Sequence, residues 1–215
     1  MPRTGARPHW LIAFIGFAVV AAMGFALLPQ PVTGTIIAAA KSPTSFGLDL
    51  PSFRAAFDRT EAAKNPANPA SGAIASCDHM PDDSDQCTTG DAGFLRSVSL
   101  MRAAGLMDHT AKQDVTILLQ RDRDGRVASV EVDGTRADQA NALRFSDVVT
   151  DVLSALQGQA GSDASVLKMR LGLMSGDNDA TINEPKTIAL PGTTVQCVRS
   201  RSNVSMLVRC IFHPG

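Results

Sequence analysis

Residues 114–134 read DVTILLQRDRDGRVASVEVDG, and this stretch decides the fold class. Val115, Ile117 and Leu119 alternate on one side of Asp124-Gly125, and Val130 and Val132 alternate on the other. An Asp-Gly pair between two alternating runs is a strong hairpin-turn signal. Thr116, Gln120, Ser129 and Glu131 mark the opposite face, although Leu118 and Val127 interrupt its polarity. One face buries and the other mostly meets water, which is the pattern of an antiparallel sheet.

Working outward, residues 137–158 (ADQANALRFSDVVTDVLSALQG) switch to a helical period. Phe145, Val148, Val149, Val152, Leu153 and Leu156 form one apolar stripe, and Gly158 can end it. Residues 162–174 (SDASVLKMRLGLM) read as a second helix capped by Ser162 or Asp163, with alternation of Leu167, Met169, Leu171 and Leu173 leaving a strand open. Residues 193–212 (TTVQCVRSRSNVSMLVRCIF) predict a second hairpin turning at residues 201–203. With Cys197 opposite Cys210, Arg199 faces Val208 and Val195 faces Phe212. Upstream, Phe53, Ala56, Phe57 and Thr60 follow helical spacing, with Ser52 as a cap, and residues 65–72 (NPANPASG) stop that helix. Residues 67–93 read as an irregular polar segment. In residues 93–107 (GFLRSVSLMRAAGLM), Phe94, Val98 and Met101 fit a helix, whereas Phe94, Val98 and Leu100 fit a strand; the reading taken is a strand over 94–102. Two hairpins packed against helices make an α+β fold with an antiparallel sheet covered on one side.

The N-terminal part differs in kind. Residues 10–28, WLIAFIGFAVVAAMGFALL, carry no charge and are closed by Pro29 and Pro31. At about 1.5 Å per residue the run makes roughly 28 Å of helix, matching a bilayer core of ~30 Å. Arg3, Arg7 and His9 precede it, and the next charge is Lys41. The positive-inside bias then keeps residues 1–9 in the cytoplasm, makes residues 10–28 a single-pass anchor and exports the remainder. Residues 29–48, rich in Pro, Ala, Ser and Thr, read as a linker and 49–215 as the exported domain. The alternative is a cleaved signal peptide, with Ala38, Ala39 and Ala40 as its small-residue site. Arg (15) far outnumbers Lys (5), a bias that fits a GC-rich bacterial genome and hence an inner membrane facing a periplasm.

All four cysteines, Cys77, Cys87, Cys197 and Cys210, lie on the exported side. An even number in an oxidising compartment implies disulfides, here Cys77–Cys87 around a short polar loop and Cys197–Cys210 across the second hairpin. The net charge of -1 argues against nucleic acid as a partner. Beyond Trp10 the chain has no Trp or Tyr, which disfavours sugar and base stacking, and Phe53, Phe57, Phe94, Phe145 and Phe212 all sit in core patterns.

Several chemical motifs nearly form. Ser165 and Lys168 match the S-x-x-K of penicillin-binding proteins and β-lactamases, with residues 175–178 and Lys186-Thr187 following. That family's motifs lie far apart in sequence, and Ile188 stands where a Gly belongs, so Ser165 reads as a helix start. Residues 120–131 place Asp122, Asp124, Gly125 and Glu131 at calcium-loop offsets, but Gln120 holds the first ligand position and the flanks are strands. Asp82, Asp83 and Asp85 beside His79 could hold calcium; the plainer reading is a solvated loop. His9, His79, His109 and His213 are scattered and form no nucleophile arrangement. Arg199, Arg201 and Arg209 read as exposed, solubilising arginines. No pattern calls for a cofactor, a metal or a catalytic residue.

The hairpin-then-helix order over residues 114–157, with Asp122-Arg123-Asp124-Gly125 in the turn, locally resembles the C-terminal domain of TonB-type energy transducers. Those proteins are also anchored N-terminally in the inner membrane, but the short linker and the disulfides depart from their pattern. The functional expectation is a non-catalytic envelope protein whose exported domain binds a protein partner or serves as a complex subunit. The alternatives are an enzyme whose site assembles only in three dimensions and a small-ligand or calcium-binding module.

Overall fold

The two hairpins read from sequence sit at the centre of one sheet in a computed structural model of the chain. The structure describes residues 43–70, 72–106, 111–158, 164–173, 182–203 and 205–215. The expected anchor at 10–28, its flank and most of the linker, His109 and residues 175–178 lie outside them. Among the described residues no helix is long and apolar enough to cross a membrane.

The chain runs α1 (Leu50–Lys64), β1 (Ile74–His79), β2 (Ser84–Thr89), α2 (Ala92–Ala103), β3 (Thr116–Arg121), β4 (Val127–Thr135), α3 (Gln139–Gln157), α4 (Ala164–Arg170), β5 (Lys186–Leu190), β6 (Thr193–Arg201) and β7 (Met206–Pro214). Its seven strands pair in the order β1-β2-β3-β4-β7-β6-β5, antiparallel throughout. The fold is α+β. Two meanders, β1–β4 and β5–β7, therefore meet back to back at the β4–β7 seam.

Register follows the alternation. Ile117 faces Val132, Leu119 faces Val130, and Val132 faces Cys210 in turn. Cys197 faces Cys210, Arg199 faces Val208 and Val195 faces Phe212, as expected from the sequence. Asp122 Oδ1 accepts from the backbone N–H groups of Asp124 and Arg126, both at 2.9 Å, and Gly125 takes the left-handed φ of +75° that an L side chain rarely adopts. Phe46 N–H donates to Val127 O and Val127 N–H to Leu48 O, so the end of the expected linker is already tied to the sheet.

Three features differ from the sequence reading. Residues 74–79 and 84–89 are strands, not irregular loop. Their side chains lack an apolar alternation, but β3 needs a partner for its outer backbone groups, and β2 supplies one. Cys77 consequently faces Cys87 across a hairpin, where a loop staple was expected. Residues 94–102 lie in helix α2. The helix buries Phe94, Ser97 and Met101 and leaves Leu100 60% exposed, the reverse of what a strand face needs. Phe94 and Met101 pack on Ala140 of α3, and this tertiary contact settles the ambiguity. Third, β5 adds an edge strand beyond the two expected hairpins.

α3 carries the core. Asp138 caps it through Asn141 N–H, and Gly158 ends it at φ +67°. Phe145, Val148, Val149 and Val152 are 0–1% exposed and meet Phe53 and Phe57 of α1 over the inner sheet face. All five phenylalanines read as core are buried. The other face, carrying Thr116, Glu131, Asp133, Arg209 and Gln196, meets solvent.

Candidate functional site

The sequence offers one anomaly inside an apolar stripe. Arg144 and Asp151 are seven residues apart on α3, so both fall on the face that carries Val148 and Val152. Each is buried, at 2% and 1% exposure. Charges at such depth need partners. α1 supplies them in Glu61 and Lys64, and α2 adds Arg96.

Glu61, 1% exposed, is the hub. Arg144 Nη1 donates to its Oε1 at 3.1 Å and Arg96 Nη2 to its Oε2 at 3.2 Å. Lys64 Nζ lies 3.8 Å from Oε1 and also pairs closely with Asp151 Oδ1. Two glycines make room for this cluster. A Cβ on Gly72 would sit 1.7 Å from Glu61 Oε2, and one on Gly93 would sit 2.3 Å from Arg144 Cζ. Arg144 Nη2 and Arg96 Nη1 remain without a hydrogen-bond partner among the described residues.

The two carboxyls are driven apart. Burial raises Glu61, but its hydrogen bond with the Asp151 carboxyl and the charges of Arg144, Lys64 and Arg96 overrule it and hold it low, at about 2. Burial and then the neighbouring Glu61 push Asp151 up to about 8, against the pull of Lys64. The pair thus shares one proton, carried on Asp151, across the neutral range.

These shifts carry a sign. Asp151, raised in the fold, stabilises it below the ordinary carboxylate range, and that contribution fades as pH climbs towards 8. Glu61, lowered in the fold, stabilises it above the ordinary range and loses that only as pH falls towards 2. Asp151→Asn cannot ionise, so the decline in thermal stability of the native protein between pH 5 and 8 flattens in the variant. Melting curves at five or six pH values check this; identical slopes would remove Asp151 as the titrating group.

Lys64 and Asp151 form part of the wall of a groove of about 1100 Å³, open along one side, between α1, the second half of α3 and the β5–β6 turn. Aliphatic side chains, Leu153, Leu156, Leu167 and Leu190 with Phe46, make the rest of its surface largely apolar. A smaller cavity of about 410 Å³ beside Thr88, Asp91 and Lys112 reaches Arg144 from the other side. The ionic cluster therefore lies between two hollows.

The residues singled out from sequence are dispersed. Both expected disulfides are present, Cys77–Cys87 and Cys197–Cys210, and such pairs belong to an oxidising environment. Asp82 is taken up by Ser84, and Asp85 by Arg121 Nε at 2.9 Å and His79 Nδ1 at 3.1 Å, while Asp83 is fully exposed. Among the described residues, no three His, Cys, Asp or Glu side chains converge on a metal-sized point. Asp122 serves its own turn and Glu131 pairs with Arg209, so the calcium-loop residues do not converge. Lys168 is bound to Asp147, and Lys186 opens β5. Arg201 and Arg209 are exposed as expected, but Arg199 is 3% exposed, because it points inward on β6 with Thr193, Val195 and Cys197, a run that ends before Arg201. No family model, curated protein or solved structure matches this chain.

Proposed function

We propose that this is a single-pass bacterial inner-membrane protein, anchored by residues 10–28, whose periplasmic α+β domain works by binding a protein partner as an adaptor or complex subunit. The charge-free run behind Arg3 and Arg7 supports the anchor, and the two disulfides support the compartment. The observation that carries the binding reading is the solvent-facing side of the sheet. There Leu118, Glu131 and Ile211 lie in one row and Asp133 and Arg209 in the next, with Leu207 44% exposed. Aliphatic side chains set around an ion pair on an open sheet face suit a protein interface.

The test is in-cell photo-crosslinking of the tagged full-length protein, with the reactive group at Leu207 on this face or at Leu100 on α2. A stoichiometric partner captured from Leu207 and not from Leu100 supports the reading. A clean bait at both positions, or equal capture, rejects it. A second reading, a small-ligand module, is favoured by the groove beside Lys64 and Asp151.

A further inference from the structure

The groove has a chemical polarity of its own. Along α3 its wall passes from Thr150 and Asp151 through Leu153 and Leu156 to Gly158, about 12 Å of helix. Ser154 and Gln157 line the same wall, and Leu153, Leu156, Leu190 and Phe46 make most of the groove apolar. A volume near 1100 Å³ is slightly above the ~300–1000 Å³ usual for small-molecule sites.

Charge at the Lys64 wall does not balance. Three cations, Lys64, Arg96 and Arg144, meet two carboxylates, Glu61 and Asp151, so one positive charge is in excess even with both carboxyls ionised. Lys64 keeps 31% of its side chain exposed at the groove, while its acidic partners are buried. Arg59 lines the same groove and makes no ion pair among the described residues. Asp151 also reaches the wall, its carboxyl already hydrogen-bonded to Glu61 and paired with Lys64. An anion seated there would meet the Lys64 ammonium.

We propose that this groove binds a linear monocarboxylate of the fatty-acid type, with its carboxylate at Lys64 and its chain along Leu153, Leu156 and Leu190. A largely apolar groove with uncompensated positive charge at one wall is complementary to an acyl chain that carries a carboxylate. A neutral Asp151 also spares an incoming carboxylate the repulsion that an ionised one would exert.

The experiment uses the full-length protein in lipid nanodiscs with a diazirine-bearing palmitate, labelled sites being read by mass spectrometry. Labelling is expected at the groove, on α1, α3 or the β5–β6 turn. Unlabelled palmitate competes, and hexadecanol, equal in length but uncharged, competes at least about tenfold less well. Ala63→Trp, which fills the groove without touching the ionic cluster, abolishes groove labelling while the far-ultraviolet circular dichroism stays unchanged. Lys64→Gln weakens competition by palmitate about tenfold; if that variant does not fold, Arg59→Gln takes its place. Three results overturn the proposal: labelling confined to residues 10–28, hexadecanol competing as well as palmitate, or groove labelling that survives Ala63→Trp. Stronger competition by a lysophospholipid than by palmitate also overturns it, since the guest would then be a membrane phospholipid. Loss of the Leu207 crosslink leaves all these outcomes readable, because the two sites lie on opposite sides of the sheet.

Discussion

Glu61→Ala is expected to destabilise the domain by about 3–5 kcal/mol, the usual cost of removing one partner from a buried ion pair. Arg144 is 2% exposed and would lose the acceptor of its Nη1, when its Nη2 already lacks a partner. Arg96 and Lys64 would then be left facing Asp151 alone. Three cations around one carboxyl, beneath α1, α2 and α3 together, cannot be relieved by a rotamer change, because Gly93 leaves no slack beside the Arg144 guanidinium. The melting temperature should fall by on the order of 10 °C. Glu61→Gln, which keeps the shape and one acceptor, should cost clearly less. A Glu61→Ala variant as stable as the native protein would mean that water reaches the cluster and carries its charges.

Removal of the Cys197–Cys210 bridge by a double Cys→Ala change should cost about 3 kcal/mol from the loop entropy of a 13-residue separation. The Cys77–Cys87 bridge, at a separation of 10, has almost the same entropic worth, so a difference between the two must come from packing. Cys197 and Cys210 are 2% and 0% exposed within the central core, whereas Cys77 is only partly buried at the sheet edge. The β6–β7 bridge is therefore expected to be the costlier loss. Urea denaturation of both double variants decides this, and a larger loss at the edge would place the strain-bearing part of the sheet at β1–β2.

The hairpins were legible because period-two alternation and a turn signal act locally. Ile117, Val132, Val195 and Phe212 specify their faces without help from the rest of the chain. β1 and β2 were not legible, since sequences such as SDQCTT become strands through the unpaired edge of β3, which is a tertiary cause. Leu100 and Met101 offered both periods to residues 94–102, and only the contact with Ala140 chose between them. The ionic cluster was half legible. Arg144 and Asp151 interrupt an apolar stripe at a spacing of seven, which is a readable sign of buried charge. Glu61 and Lys64 gave no such sign, because on a short amphipathic helix they look like an ordinary solvated pair. The groove arises from three segments distant in sequence and left no local trace.

The register places Cys77, Cys87, Ile117, Val132, Cys210 and Cys197 in one continuous row across six strands. Each bridge thus closes a hairpin close to its own tip, enclosing residues 78–86 in one case and 198–209 in the other. A protease that cut either tip would separate no fragment: the nicked strands would stay joined through sulfur and through the ladder. Such a cut would add the mass of one water and leave the core pairing intact, so the two tips are natural places to carry a cleavable tag or an inserted reporter.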